Sequence, residues 1–291
     1  MSNARSPTLI DLNDSASACT VFCVHPVGGG LGAYKHLADR LRGTARIYGL
    51  EDPSIYANET FASVAELAEL HMDTIAQAHP RGPYLIFGAC SAGPIAYEIA
   101  CHLELRGEKV DRVVMFGAQN DLVAYDPTFK NSYHFLHSYL ADSLGLNVAG
   151  IGWDILESLD RQSACSVIVD TLITRNKALQ DVDAVALRDR VASMLMTQVA
   201  TRRYRAPRSS LDIDLYMHPV GERSERHDFK SWCDWGNLTD GAIHHIEIER
   251  QDGAGSGVLS EPYVDTVVRQ LRLTIFHPER MGALRAESSH A

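Results

Sequence analysis

The chain has 291 residues, 45% of them hydrophobic, which suits one large α/β domain or a domain carrying an insertion. Its formal net charge is −10 and it has no lysine- or arginine-rich block, which excludes the basic face a nucleic-acid partner needs. No apolar run follows the first arginine and no stretch is long enough to span a bilayer, so neither a signal peptide nor a membrane segment is expected and the chain reads as cytoplasmic.

Short β-rich runs alternate with helical patterns along the first part of the chain. "CTVFCVH" (19–25) is an apolar strand followed by a glycine-rich turn, and "ARIYGLE" (45–51) is a second strand. The apolar spacing of "TFASVAELAELHMDTIAQAH" (60–79) predicts a helix. "PYLIFGA" (83–89) reads as a buried strand, "GPIAYEIACHLELRG" (93–107) as a helix closed by Gly107, and "DRVVMFG" (111–117) as another strand. From 121 to about 206 every pattern is helical. Strand character returns in "LDIDLYMH" (211–218) and "AIHHIEIE" (242–249), and "EPYVDTVVRQLRLTIF" (261–276) reads as a closing helix. This order predicts an α/β fold: a mostly parallel twisted sheet, helices on both faces, and a helical lid insertion. The expected organisation is an N-terminal flank over 1–18, one domain over 19–276 with the lid at about 121–206, and a fraying tail over 277–291.

Six cysteines (Cys19, Cys23, Cys90, Cys101, Cys165, Cys233) are spread without a CxxC pair. Zinc-ligand spacing is absent, so no metal is expected, and the cysteines read as reduced thiols that fill the core. Cys90 is the exception. It lies in "GACSAG" (88–93), between a strand and a helix, where Gly-x-nucleophile-x-Gly forms a nucleophile elbow. Small residues must flank such a strained turn, and Gly88, Ala92 and Gly93 meet that demand. Two registers compete: Gly88-Ala89-Cys90-Ser91-Ala92, with the thiol at the apex, and Ala89-Cys90-Ser91-Ala92-Gly93, with the hydroxyl there. The pattern alone does not separate them.

"VFCVHPVGGGLGAYKHLADRL", "PYLIFGACSAGPIAYEIACHL" and "YRAP" before a strand resemble the thioesterase domains that release products from nonribosomal peptide and polyketide synthases, α/β-hydrolases in fold. The resemblance runs from about 19 to 275. Laid on residues 83–100 without a gap, the family's serine falls on Cys90, while Pro83, Tyr84, Gly88, Gly93, Ala96, Tyr97, Glu98 and Ala100 all fit. The resemblance implies that "HPVGGG" (25–30) supplies one oxyanion-hole N–H from Val27 and that Ser91 supplies the second. His25 belongs to that loop pattern and reads as structural. A phosphate-loop reading fails, since no Gly-Lys-Ser/Thr follows the glycines.

The departures from the family are informative. Gly117 stands where the family's acid ends the strand after the elbow, and Asp121 follows four residues later. The loop "ERQDGAGSGVLSEP" has no histidine, and Gly255 stands where the family's histidine is expected. A thiol tolerates these losses better than a hydroxyl, because its pKa is only about 8.5 and a helix N-terminus can lower it. The missing histidine therefore favours Cys90 over Ser91 on chemical grounds. His218, at the end of its strand, is the candidate replacement base, and Asp121 the candidate orienting acid. His134 and His137 in the lid are weaker candidates for the base, and His244 and His245 within a strand are weaker still.

The resemblance then implies a thioesterase that takes a peptidyl or acyl group from the phosphopantetheine of an upstream carrier protein onto Cys90. No other cofactor is implied. Exchange of one thioester for another keeps the acyl group activated, which suits intramolecular cyclisation. The cysteine variant resembles the β-lactam-forming thioesterase domains of sulfazecin-type monobactam synthetases. Two alternatives stand beside it: a free-standing hydrolytic editing thioesterase, and a degenerate hydrolase that binds carrier protein without turnover.

Overall fold

The computed structural model describes residues 9–52, 54–57, 61–79, 81–118, 132–219, 235–251 and 257–277. The sheet has seven strands: β1 (Leu9–Asp11), β2 (Thr20–Val24), β3 (Arg46–Leu50), β4 (Tyr84–Ala89), β5 (Val110–Phe116), β6 (Ile213–Met217) and β7 (Ile243–Glu247). Their order across the sheet is β1-β3-β2-β4-β5-β6-β7. Every pairing is parallel except that of β1, which runs antiparallel to β3 along the edge. The sequence reading has no strand before Cys19, because three residues are too few to display an alternation.

Period-two alternation assigns the central strands to two cores. Phe22, Val24, Tyr84, Ile86, Val113, Met115, Ile213 and Leu215 face one core. Val21, Cys23, Leu85, Phe87, Val114, Phe116 and Tyr216 face the other. Strands buried on both faces carry continuous apolar runs, as parallel sheets require.

Helices α3 (Val64–Ala78) and α4 (Ala92–Leu105) cover the first face, while α1 (Lys35–Arg40) and α9 (Val264–Thr274) cover the second. Ser63 caps α3 by accepting from the Glu66 N–H at 3.2 Å, and the Glu66 carboxylate accepts from the Ala62 N–H at 2.7 Å. That reciprocal arrangement stops fraying at the first turn. The residues of α4 from Ala92 to Cys101 are all buried, because the helix packs against both the sheet and α3, so an apolar face all round is what it needs. Gly107, at φ +79°, ends α4, with its N–H on the Glu104 carbonyl and the Glu108 N–H on the Leu103 carbonyl.

Between β5 and β6, the described residues from 132 onward form helices joined by turns and loops. Helix α5 (Ser132–Ser138) runs into a π-helical turn (Tyr139–Ser143), followed by α6 (Trp153–Leu156), α7 (Arg161–Arg175) and α8 (Ala184–Arg203). They form their own apolar cluster, which includes Leu136, Leu140, Cys165, Ile168, Leu172, Val191 and Met194. Val27 from the main domain belongs to this cluster too. A short helix, α2 (Ser54–Ala57), follows β3. Among the described residues, no helix is long and apolar enough to cross a membrane.

Candidate active site

Strand β4 ends at Ala89 and α4 begins at Ala92, so Cys90 and Ser91 make the whole turn. Cys90 has φ +53°, a left-handed conformation that costs a side-chain-bearing residue free energy. Its N–H bonds the Phe116 carbonyl at 2.9 Å, extending the β4–β5 ladder by one residue, and its carbonyl accepts from the Gly93 N–H at 3.1 Å. Ser91, by contrast, has helical dihedrals and is fully buried, and its hydroxyl has no partner. The two competing registers are thus physically distinct. The strained apex is Cys90, a half-buried residue.

The small neighbours are required by space. A Cβ on Gly88 would lie 2.7 Å from the Ala92 carbonyl oxygen and 2.9 Å from the Ala96 Cβ. A Cβ on Gly93 would lie 2.4 Å from the Ala118 Cβ.

Two opposing influences act on the thiol. Burial pushes its pKa up, and the hydrogen bond from the Ser91 N–H pulls it down. Burial is the larger, so the thiol titrates above its ordinary value, opposite to the lowering that a helix N-terminus alone would give.

The glycine loop after β2 is folded on itself and against β3. The Gly29 N–H bonds the Pro26 carbonyl at 3.1 Å, and the Asp52 N–H bonds the Gly29 carbonyl at 3.1 Å. Gly28 and Gly29 have φ of +88° and +73°. The first histidine of the loop, His25, is fully buried, with Nδ1 3.2 Å from the Pro26 carbonyl and Nε2 unpartnered. Its ring meets that of His71 edge-on at 5.3 Å, and His71 has neither nitrogen partnered. Burial lowers the pKa of both, and for His25 the charge of Asp52 partly opposes the lowering.

Tyr34 ties this loop's strand to the elbow. Its buried hydroxyl donates to the Val24 carbonyl at 2.7 Å and accepts from the Ala89 N–H at 2.8 Å. One hydroxyl therefore links the end of β2 to the residue before Cys90. Tyr139, on the lid's π-helical turn, stacks on Phe135 with centroids 6.1 Å apart. Burial and, after it, the charge of Cys90 raise its hydroxyl pKa. Neither tyrosine is flagged by any sequence motif, because both reach the site across the fold.

The other sequence candidates are dispersed. His218 follows β6, with Nδ1 2.6 Å from the Ile248 carbonyl, Nε2 buried and without a partner among the described residues, and its ring edge-on to Tyr263 at 4.5 Å. Ile248 directly follows β7, so His218 is fastened to the start of the loop whose histidine is missing. His134 faces Asp154 at 3.4 Å, and His137 packs edge-on against Trp153 at 5.1 Å, both within the lid. His244 contacts Asp214 and Arg112 at 2.8 and 2.9 Å, and His245 is exposed on β7. Asp121, Cys233 and Gly255 lie outside the described residues. Among the described residues, no group of three or more histidine, cysteine or carboxylate side chains is arranged to hold a metal ion.

Residues 19–138 match the model of the family described as "Thioesterase domain". Malpinin synthetase of Mortierella alpina is 30% identical over 124 residues, 42% of this chain, and the chain spans 2% of that protein's length. Among solved structures, the four-domain nonribosomal peptide synthetase holo-AB3403 superposes with a TM-score of 0.74 at 20% identity, over 92% of this chain and 20% of that one. The NocB thioesterase domain, in covalent complex with a fluorophosphonate nocardicin G analogue, superposes with a TM-score of 0.64 at 17% identity, over 91% of this chain and 98% of that one. The fold is that of an α/β-hydrolase, and residues 19–138 are similar in sequence to the thioesterase domains of nonribosomal peptide synthetases.

Proposed function

We propose that the chain releases a carrier-bound acyl or peptidyl group by acyl transfer through Cys90. The observation that carries this reading is the strained, positive-φ backbone that sets Cys90 at the strand–helix apex. In the first step the Cys90 thiolate attacks the thioester carbonyl of a phosphopantetheine-bound substrate. The developing oxyanion is held by the N–H groups of Val27 and Ser91, and the pantetheine thiolate leaves and takes up a proton. The product is a second thioester, on Cys90.

In the second step an amine or hydroxyl of the acyl chain attacks that thioester and closes a ring, a β-lactam or another strained ring, and the Cys90 thiolate leaves. The attacking group must lose a proton. His218 is suited to accept it. With Nδ1–H donated to the Ile248 carbonyl, Nε2 keeps its lone pair. His218 follows β6, which β5 separates from β4. At ~4.8 Å per strand that is a reach of roughly 10 Å, so the imidazole serves the incoming nucleophile rather than the thiol. A water competing for the acyl-enzyme would need the same base, and cyclisation wins because its nucleophile is already tethered.

The test is incubation with an acyl-pantetheine thioester, followed by intact mass and product analysis. The reading expects an adduct on Cys90 and then a cyclic product. Rapid release of free acid would point to an editing hydrolase. No adduct, with Cys90→Ala behaving as the wild type, would leave a binding role only. An adduct on Ser91 would overturn the assignment of the nucleophile.

A further inference from the structure

The glycine loop poses a mechanical problem. An oxyanion donor works only when it is held close to its productive geometry, yet Val27 precedes three consecutive glycines, the residues with the most backbone freedom. Two bonds within the main domain, Gly29 to Pro26 and Asp52 to Gly29, fold the loop. Asp52 and Ile55 also crowd Gly29 from within that domain, and further contacts come from the lid.

Three residues on one face of α8 meet the loop. The Arg190 Nη1 donates to the Gly28 carbonyl at 3.3 Å. The Ser193 hydroxyl donates to Asp52 Oδ2 at 2.5 Å, and Asp52 is fully buried, with its Oδ1 accepting from the Ser54 N–H at 2.8 Å. Met194 covers Gly28 so closely that a Cβ there would lie 3.0 Å from its Cε. Cβ atoms on Gly29 and Gly30 would lie 3.1 Å from the Ser193 Oγ and 3.0 Å from the Arg190 Nη1. Positions 190, 193 and 194 follow the i, i+3, i+4 spacing of a single helical stripe. Val27 itself belongs to the lid's apolar cluster, which also holds Met194 and Leu140.

We infer that α8 is a clamp on the oxyanion loop, with Arg190 and Ser193 as positioning residues that hold the Val27 N–H ready only while the lid is seated. The glycines are then needed for the close approach of α8 as much as for their dihedral angles. A lid that lifts must break the Arg190–Gly28 and Ser193–Asp52 bonds, so it releases the loop and disarms the site in the same movement. This inference rests on Cys90 acylation as proposed above.

The test compares two reactions of the same thiol in the full chain. Alkylation of Cys90 by iodoacetamide needs no oxyanion hole, whereas acylation by an acyl-pantetheine thioester does. Ser193→Ala and Arg190→Met are each expected to slow acylation by about 10- to 100-fold while leaving alkylation within about twofold. Arg190→Lys, which keeps a donor for the Gly28 carbonyl, is expected to recover most of the acylation rate. Arg190 is exposed, so its replacement tests the clamp even if the buried Ser193 variant folds poorly. Equal loss of both reactions, or loss of neither, overturns the clamp. A wild-type chain that alkylates at Cys90 but takes no acyl group overturns the acyl-transfer reading instead, and the two failures are thereby distinguished.

Discussion

The Tyr204 hydroxyl donates to Glu98 Oε2 at 2.6 Å, joining the end of the lid to α4, the helix that follows Cys90. Glu98 is 7% exposed, and its other oxygen lies 3.2 Å from His102 Nε2. The adjacent Tyr97 hydroxyl sits between the carbonyls of Pro207 and Leu238, at 2.8 Å each, and the Ser209 hydroxyl at 3.0 Å. The stretches "AYEIA" and "YRAP", far apart in sequence, are thus two halves of one polar fastening beneath the lid.

Breaking that fastening from the tyrosine side leaves a buried carboxyl group with His102 but without its hydroxyl donor. Tyr204→Phe is expected to lower stability by about 1.5–3 kcal/mol, the range for a hydrogen bond to a charged group. The loss should be smaller in a Glu98→Gln background, where the group left behind is neutral. Urea denaturation of the four members of this double-mutant cycle measures the difference, and a coupling near zero would mean that the bond contributes nothing net.

Two glycine substitutions should diverge sharply. Gly88→Ala puts a methyl 2.7 Å from the Ala92 carbonyl oxygen, so α4 must move away from the elbow. The expected cost is about 1–3 kcal/mol, with Cys90 acylation falling at least tenfold because the turn is re-aimed. Gly32→Ala meets nothing within 4 Å and should stay within about 0.5 kcal/mol of the wild type, with acylation unchanged. Thermal melting and a single-turnover acylation assay check both.

Local features of the site were legible in the sequence, and features that depend on distant contacts were not. Gly88, Ala92 and Gly93 mark a turn that admits only small residues, and the helix patterns from 132 to 203 mark a helical insertion, because both depend on neighbours in sequence. What decides between Cys90 and Ser91 at the apex is a backbone dihedral, which two adjacent small polar residues do not encode. Tyr34, Asp52, Arg190 and Ser193 stayed hidden for a different reason. Each acts on a partner contributed by a remote segment, such as Ala89 for Tyr34, 55 positions away, and Asp52 for Ser193, 141 positions away. A tyrosine or serine at such a position looks in sequence like any other core or helix residue.

The buried pair His25 and His71 should make the protein acid-sensitive. Burial holds both pKa values below the ordinary value of about 6.5. Between that value and the lower native one, the unfolded chain binds protons that the native chain does not, so stability falls as pH falls below about 6.5. The loss approaches about 1.4 kcal/mol per histidine per pH unit. His71→Leu removes two buried, unpartnered nitrogens and one of the two titrations. Its urea midpoint should drop less between pH 7.5 and 5.5 than the wild type's, and an identical drop would show that His71 takes no part.

Because burial outweighs the Ser91 N–H, Cys90 is largely protonated at neutral pH, and the reactive thiolate appears only as pH rises toward its elevated pKa. Iodoacetamide alkylation, followed by peptide mass mapping to Cys90, should therefore accelerate about tenfold per pH unit from pH 7 upward, with a midpoint above about 8.5. Acylation by a thioester should follow the same profile if thiolate attack limits it. A midpoint below pH 7 would mean that the helix N-terminus, not burial, governs the sulfur. Cys90→Ser should lose acylation by more than about a hundredfold, because the hydroxyl at that apex has no described histidine bonded to it and a far higher pKa to overcome. A serine variant that keeps its rate would reveal a strong base acting directly on residue 90, and the imidazole of His218 would then have to be tested as its source by His218→Ala in that background.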